Sequence, residues 1–137
     1  MSQTSKDRSS EAPGSGDTPT GVRFVLEDNT SVALHAALSG LAKRQRVIAD
    51  NISNINTPGF LAGRVEFEDA LKLAVQAGAP GDTAISVARS LEPTREDGNN
   101  VNLDHEVLSN IDTGLRYQTM LRGVDDKFGL LRSAIRG

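Results

Sequence analysis

Apolar side chains recur along residues 30–57 at the spacing of one helix face. They step by three or four residues and, with one polar member, are Leu34, Leu38, Leu41, Gln45, Ile48, Ile52 and Ile55. This heptad pattern places them all on one side of a helix. An Asn-Thr-Pro-Gly sequence follows at 56–59, where proline disfavours helix and glycine tolerates positive φ. The pattern therefore predicts a helix of about 25 residues that starts near Ser31 as its N-cap and ends in this turn.

A second helical pattern starts after Asn102 and runs nearly to the C-terminal end. Its apolar members are Leu108, Ile111, Leu115, Leu121, Val124, Phe128, Leu131 and Ile135. Three successive steps of three residues around Gln118 break the strict heptad, so a coiled coil here should be locally distorted. Asn102 or Asp104 can cap the start of this helix.

The chain between the two helices predicts less regular structure. Residues 65–75 fit a short helix that presents Phe67, Leu71 and Val75 on one side. Glycine and proline interrupt every run in residues 76–100, and only residues 84–88 have the composition of a strand. We expect a flexible, partly β segment or a small hairpin there.

The first 21 residues contain no Val, Leu, Ile or Phe. Such a segment cannot bury enough apolar surface to offset the entropy lost on ordering. It also lacks the apolar region of a cleavable secretory signal, and no stretch of the chain is long and apolar enough to cross a membrane. We therefore expect a disordered polar extension and no transmembrane segment.

These patterns predict an all-α fold in four parts. A polar extension at 1–29 precedes an N-terminal helix at 30–57. A middle segment at 58–100 holds a turn, a short helix and a flexible part, and a C-terminal helix occupies 101–137. We expect the two long amphipathic helices to pack as a coiled-coil-like hairpin.

The composition argues against several kinds of function. A formal net charge of −3 provides no basic field for nucleic acid, and the absence of cysteine removes thiolate chemistry. Residues 100–111 begin like a calcium-binding loop, but His105 stands where that loop requires glycine and Ile111 where it requires an acidic residue. His35 and His105 are isolated in the sequence. The sequence predicts no catalytic residue, no metal site and no cofactor.

Two separated motifs stand at the inner ends of the predicted helices. The first consists of Arg44, Gln45, Asn51, Asn54, Thr57, Pro58 and Gly59. The second consists of Asn99, Asn100, Val101, Leu103, Glu106 and Tyr117. Together they resemble the two signatures of the bacterial flagellar basal-body rod protein family, and the second resembles that of the proximal rod subunits in particular. The resemblance covers roughly residues 30–137.

The resemblance implies a structural subunit of the rod, the axial shaft that crosses the periplasm and transmits torque. Rod proteins leave the cytoplasm through the flagellar type III export apparatus without losing a signal peptide. Their terminal helices form an inner layer around the axial channel. The partners implied are other rod and basal-body proteins, the export apparatus, and further copies of the chain in a helical assembly. No reaction and no nucleic acid are implied.

Several alternatives remain open from the residues themselves. The amphipathic faces also suit a cytoplasmic helical adaptor that binds other proteins, or an intramolecular or homodimeric coiled coil. Gln45 and Gln118 either fix helix register by hydrogen bonding or lie at the edge of their stripes. Asn51, Asn54 and Asn56 are expected to cap the helix end and fix the turn, with contact to a partner subunit as the alternative.

Overall fold

The computed structural model describes residues 28–136. Two long helices, α1 (Asn29–Ser53) and α3 (Leu103–Arg136), flank a smaller middle part. That part contains strand β1 (Gly63–Glu66), helix α2 (Glu68–Gln76), a 3₁₀ turn (Pro80–Asp82) and strand β2 (Ser86–Arg89). A mostly helical fold with two long terminal helices is therefore confirmed. The predicted extension at 1–29 lies outside the described residues except for its last two positions.

The two long helices run antiparallel and contact each other along α1. Lys127 forms an ion pair with Asp28 at the start of α1, and Leu34 lies beside Gly123. Further along, Tyr117 packs against the core that contains Leu41. Residue numbers thus fall along α3 as they rise along α1.

Helix α1 begins one turn earlier than the sequence indicated. Asp28, and not Ser31, is the N-cap, because its Oδ1 accepts a hydrogen bond from the Ser31 amide at 2.8 Å. The helix ends at Ser53, three residues before Asn56. Turns and local hydrogen bonds occupy the residues up to Pro58.

Strands β1 and β2 pair antiparallel, with Val65 opposite Val87. The predicted helix at 65–75 is wrong at its start, because Val65 lies in β1 and α2 begins only at Glu68. The physical reason is a two-residue period: Val65 and Phe67 are buried while Glu66 between them is exposed.

The core lies where this hairpin packs on the middle of α1. Ala37, Leu41, Val65 and Phe67 form the buried cluster. The Phe67 ring lies so close to Gly40 that a Cβ there would be 2.6 Å from the ring carbons. Gly40 is therefore the point on α1 that lets the hairpin approach.

Candidate assembly site

Asn51 joins the end of α1 to the start of β1. Its side chain is 1% exposed. The amide nitrogen Nδ2 donates to the Gly63 carbonyl at 2.8 Å, and Oδ1 accepts from the Gly63 amide at 3.0 Å. The expected capping role for Asn51 is wrong, because both bonds go to a strand twelve residues further along the chain.

Asn54 acts locally, as the sequence indicated. Its Nδ2 donates to the Asp50 carbonyl at 2.8 Å, and its Oδ1 accepts from the Thr57 hydroxyl at 3.1 Å. Asn56 is exposed and makes no side-chain hydrogen bond with a described residue. Of the three asparagines, Asn54 is therefore the one that fixes the end of the helix.

Asn99 connects the second motif to the turn of the first. It is completely buried. Its Nδ2 donates to the carbonyls of Asn54 and Thr57 at 2.8 and 2.9 Å, and its Oδ1 accepts from the Val101 amide at 2.8 Å. The two motifs, far apart in sequence, therefore form one structural unit.

Asn100 makes the corresponding connection to the hairpin. Its Oδ1 accepts from the Ala62 amide at 2.6 Å, and its Nδ2 donates to the carbonyls of Ser90 and Glu92. We call Asn51, Asn54, Asn99 and Asn100 the asparagine junction. It holds together the turn after α1, strand β1, the chain that follows β2 and the chain that enters α3.

Two glycines allow the loops of the junction to meet. Gly59 and Gly98 both have positive φ, at 74° and 81°, and a Cβ on Gly98 would lie 3.3 Å from the Gly59 Cα. The Gly59 amide donates to the Asp97 carbonyl at 2.8 Å. Arg95 extends across the same gap, with its guanidinium bonded to the carbonyls of Ile55 and Val101. No pattern in the sequence distinguishes Arg95 or Asp97 from the residues around them.

Arg44, from the first motif, lies at the centre of an ionic cluster beside the hairpin. Its guanidinium lies 2.5 Å from one oxygen of Glu68, donates to the Val65 carbonyl at 3.0 Å, and stacks 5.0 Å from the Phe67 ring centroid. Arg116 on α3 approaches the same carboxylate at 3.7 Å. Burial raises the pKa of Glu68, but hydrogen bonds and the Arg44 charge outweigh it, so the pKa is lowered.

The remaining motif residues have distinct positions. Val101 and Glu106 are buried, Tyr117 is half-buried against the core, and Pro58 and Leu103 are exposed. Gln45 is half-buried and Gln118 is exposed, and neither side chain hydrogen-bonds a described residue. This favours a position at the edge of each stripe over a register-setting role.

The predicted apolar stripes differ in their surroundings. On α1, Leu41 and Ile48 are buried, and the other members, Leu34, Leu38, Ile52 and Ile55, are half-buried. On α3, Val124 and Leu131 are half-buried, and the exposed members are Leu108, Ile111, Leu115, Leu121, Phe128 and Ile135.

Helix α3 turns a different side toward α1 in its first half. That side carries Glu106, Ser109, Thr113, Tyr117 and Met120, which step by three or four residues and are buried or half-buried. The hydrophobic pattern could not predict this contact side, because three of these five side chains are polar. In this half of the helix the members of the predicted stripe, Leu108, Ile111 and Leu115, lie on the opposite side.

We call that opposite side the outer face of α3. It comprises five large apolar residues that are 43% to 68% exposed: Leu103, Val107, Leu108, Ile111 and Leu115. Exposed apolar side chains clustered on one helix face are typical of a protein interaction surface. The packing role predicted for Leu108, Ile111 and Leu115 is not fulfilled within the described chain.

The cleft between the hairpin and the start of α3 is more polar than the outer face. It has a volume of about 620 Å³ and is lined mainly by charged and polar side chains, among them Arg64, Glu66, Asp69 and His105. Within residues 28–136, no group of three or more His, Asp or Glu side chains is arranged to hold a metal ion. The same range contains no helix with the length and hydropathy that crossing a bilayer requires.

Comparison with known proteins identifies the family. The family model described as flagella basal body rod protein matches residues 34–60, which run from α1 into the turn held by the junction. FlgB, a flagellar basal body rod protein of Aeromonas hydrophila, is 33% identical, over 74% of this chain and 88% of its own length. The chain belongs to the FlgB family of flagellar basal body rod proteins. FlgB of Bacillus subtilis is 28% identical over 82% of this chain and 97% of its own length.

Membership of the FlgB family settles the class of protein. FlgB of Escherichia coli is also similar, with 33% identity over 62% of this chain and 77% of that protein. As a FlgB-family protein, the chain is a structural component of the flagellar basal body and not an enzyme. The resemblance found in the two motifs is confirmed.

Proposed function

We propose that the chain is an exported subunit of the proximal rod that assembles through α1 and α3 into the torque-transmitting shaft. Membership of the FlgB family supports a place in the rod. The observation that carries the mode of assembly is the outer face of α3, which lies opposite the side that packs on α1.

The outer face provides a driving force for assembly. Full burial of one Leu or Ile side chain contributes roughly 1.5 to 3 kcal/mol. Four Leu or Ile side chains and one Val side chain on this face remain in contact with water in the isolated chain. A neighbouring subunit that covers them with a different surface makes a head-to-tail contact, and contacts of that kind extend into a filament instead of closing into a dimer.

Within each subunit, the two long helices form a coiled-coil-like hairpin, distorted near Gln118, that lines the inner layer of the shaft. The antiparallel contact between Leu34 and Gly123 supports this arrangement. The asparagine junction contributes stiffness, because hydrogen bonds from Asn51 fix the end of α1 to β1, and those of Asn99 and Asn100 fix the chain before α3 to the turn after α1 and to the residue before β1. A stiff joint suits a part that transmits torque.

The partners that follow from this role are other basal-body proteins, further copies of the chain, and the flagellar type III export apparatus. Export occurs without cleavage of a signal peptide, and the assembled rod crosses the periplasm. Family membership supports the basal-body partners.

The composition of purified hook–basal bodies tests the proposed function. We expect the intact chain to be present in them, and a strain lacking the gene to be non-motile without rods. A motile cell in which the chain stays entirely in the cytoplasm would instead support the helical adaptor.

A further inference from the structure

Helix α3 is longer than the helix it packs against. The ion pair between Lys127 and Asp28 marks the level at which α1 begins. Residues 128–136 continue α3 beyond this level, over about 13 Å at the helical rise of 1.5 Å per residue. We call these residues the overhang.

The overhang carries an apolar strip in line with the contact to α1. Phe128, Leu131 and Ile135 follow each other at steps of three and four residues, on the side of α3 that carries Tyr117 and Val124 further back. Phe128 is 43% exposed and Ile135 is 67% exposed. The side of α3 that α1 covers therefore continues past the end of α1.

The sequence just before α1 has the composition to cover this strip. Residues 22–26 contain Val22, Phe24, Val25 and Leu26, and follow 21 residues without Val, Leu, Ile or Phe. They are separated from Asp28 by a single residue. Asp28 is bound to Lys127, so the described residue to which this segment is tethered lies at the base of the overhang.

The backbone geometry at Asp28 permits the required path. Asp28 has φ −72° and ψ 157°, an extended and not a helical conformation. Five residues in extended conformation span about 16 Å. That length is sufficient to follow the overhang to its last turn.

We propose that residues 22–26 pack along Phe128, Leu131 and Ile135 and cover the overhang. The hairpin is then completed by its own chain at this end, and only residues 1–21 extend beyond it. The outer face of α3 lies at the other end of the molecule and stays free for a neighbouring subunit.

Disulfide trapping tests this proposal, since the full chain has no cysteine of its own. The test variant is Leu26→Cys with Leu131→Cys. The matched control is Leu26→Cys with Leu130→Cys, because Leu130 is the next residue but points away from the strip and is 72% exposed. We expect an intrachain disulfide in the test variant, formed about tenfold more than in the control. Equal yields at the two positions, or disulfides between two chains, would overturn the proposal.

Hydrogen exchange provides a second readout that needs no cysteine. Deletion of residues 2–21 should leave the exchange rates of overhang amides unchanged. Deletion of residues 2–26 should raise them by about tenfold, because the covering segment is lost. If the two deletions give the same overhang exchange, the proposal is wrong. Both measurements use the isolated chain. Their outcome therefore does not decide the proposed function, which is tested separately in hook–basal bodies.

Discussion

At the scale of single residues, each buried asparagine of the junction serves several backbone groups at once. An amide side chain carries both donors and an acceptor, so Asn99 can donate to two carbonyls and at the same time accept from the buried Val101 amide. Aspartate lacks the donors, and alanine lacks the donors and the acceptor. This accounts for asparagine at Asn51, Asn99 and Asn100.

Replacing Asn99 with alanine should therefore lower the free energy of unfolding by more than the few atoms removed would suggest. Asn99→Ala removes the hydrogen bonds to the carbonyls of Asn54 and Thr57 and leaves the buried Val101 amide without its acceptor. We expect a loss of about 2 to 3 kcal/mol in the free energy of unfolding. Chemical denaturation followed by circular dichroism measures this. The control Asn110→Ala, at an exposed position on α3, should change stability by less than about 0.5 kcal/mol. Equal effects of the two substitutions would contradict the role of Asn99.

At the scale of elements, the packing face of α1 could be predicted from the sequence better than that of α3. The α1 stripe is apolar except for Gln45 and ends at an unambiguous turn, so its face and approximate length could be predicted. The contact side of α3 includes Glu106, Ser109 and Thr113, which no hydrophobic pattern distinguishes. Strand β1 has only Val65 buried among four residues, too little for its period to be recognised. The two motifs were recognisable, but their contact through Asn99 required the fold.

The packing of the hairpin on α1 predicts opposite effects for two helical glycines. Gly40→Ala places a Cβ against the Phe67 ring, and we expect a loss of about 1 to 3 kcal/mol in stability from overpacking. Gly114→Ala on α3 meets no atom within 4 Å of the new Cβ and should gain up to about 1 kcal/mol from helix propensity. Thermal denaturation of both variants compares them directly. A stabilising Gly40→Ala would show that the ring does not pack as described.

At the scale of the whole molecule, contacts at three levels hold the helix pair. The asparagine junction holds one end, the cluster of Arg44, Glu68 and Arg116 lies in the middle, and the pair of Asp28 and Lys127 holds the other end. Two of the three levels depend on a carboxylate. Protonation of Asp28 and of Glu68 at low pH should therefore weaken the contacts at two separate levels of the helix pair.

Stability should decrease as the pH falls through the acid range. The hydrogen bond from Lys127 lowers the pKa of Asp28, and the pKa of Glu68 is also lowered. A lowered pKa in the folded state contributes stability above the ordinary carboxyl value of about 4, and this contribution is lost as the pH falls through the folded value.

Combining Asp28→Asn with Glu68→Gln should flatten this pH dependence, because neither position then titrates. The contribution of Glu68 should stay below about 1 kcal/mol because solvent screens it. Urea denaturation at a series of pH values from 7 to about 3 measures the slope. Asp126→Asn, which changes an exposed carboxylate on α3, should keep the parental slope. If the double variant also keeps it, the two ion pairs do not stabilise the fold.

Assembly into the rod is the central claim, and incorporation of a variant with a charged outer face tests it most directly. The variant combines Ile111→Asp with Leu115→Asp, both at exposed positions, and the control is Asn110→Asp on the same helix. The measurement is the amount of chain in purified hook–basal bodies, normalised to the amount made. We predict that the double variant folds with parental stability and that its incorporation falls by about tenfold or more, while the control is incorporated normally. Incorporation of the folded double variant at the parental level would contradict the account.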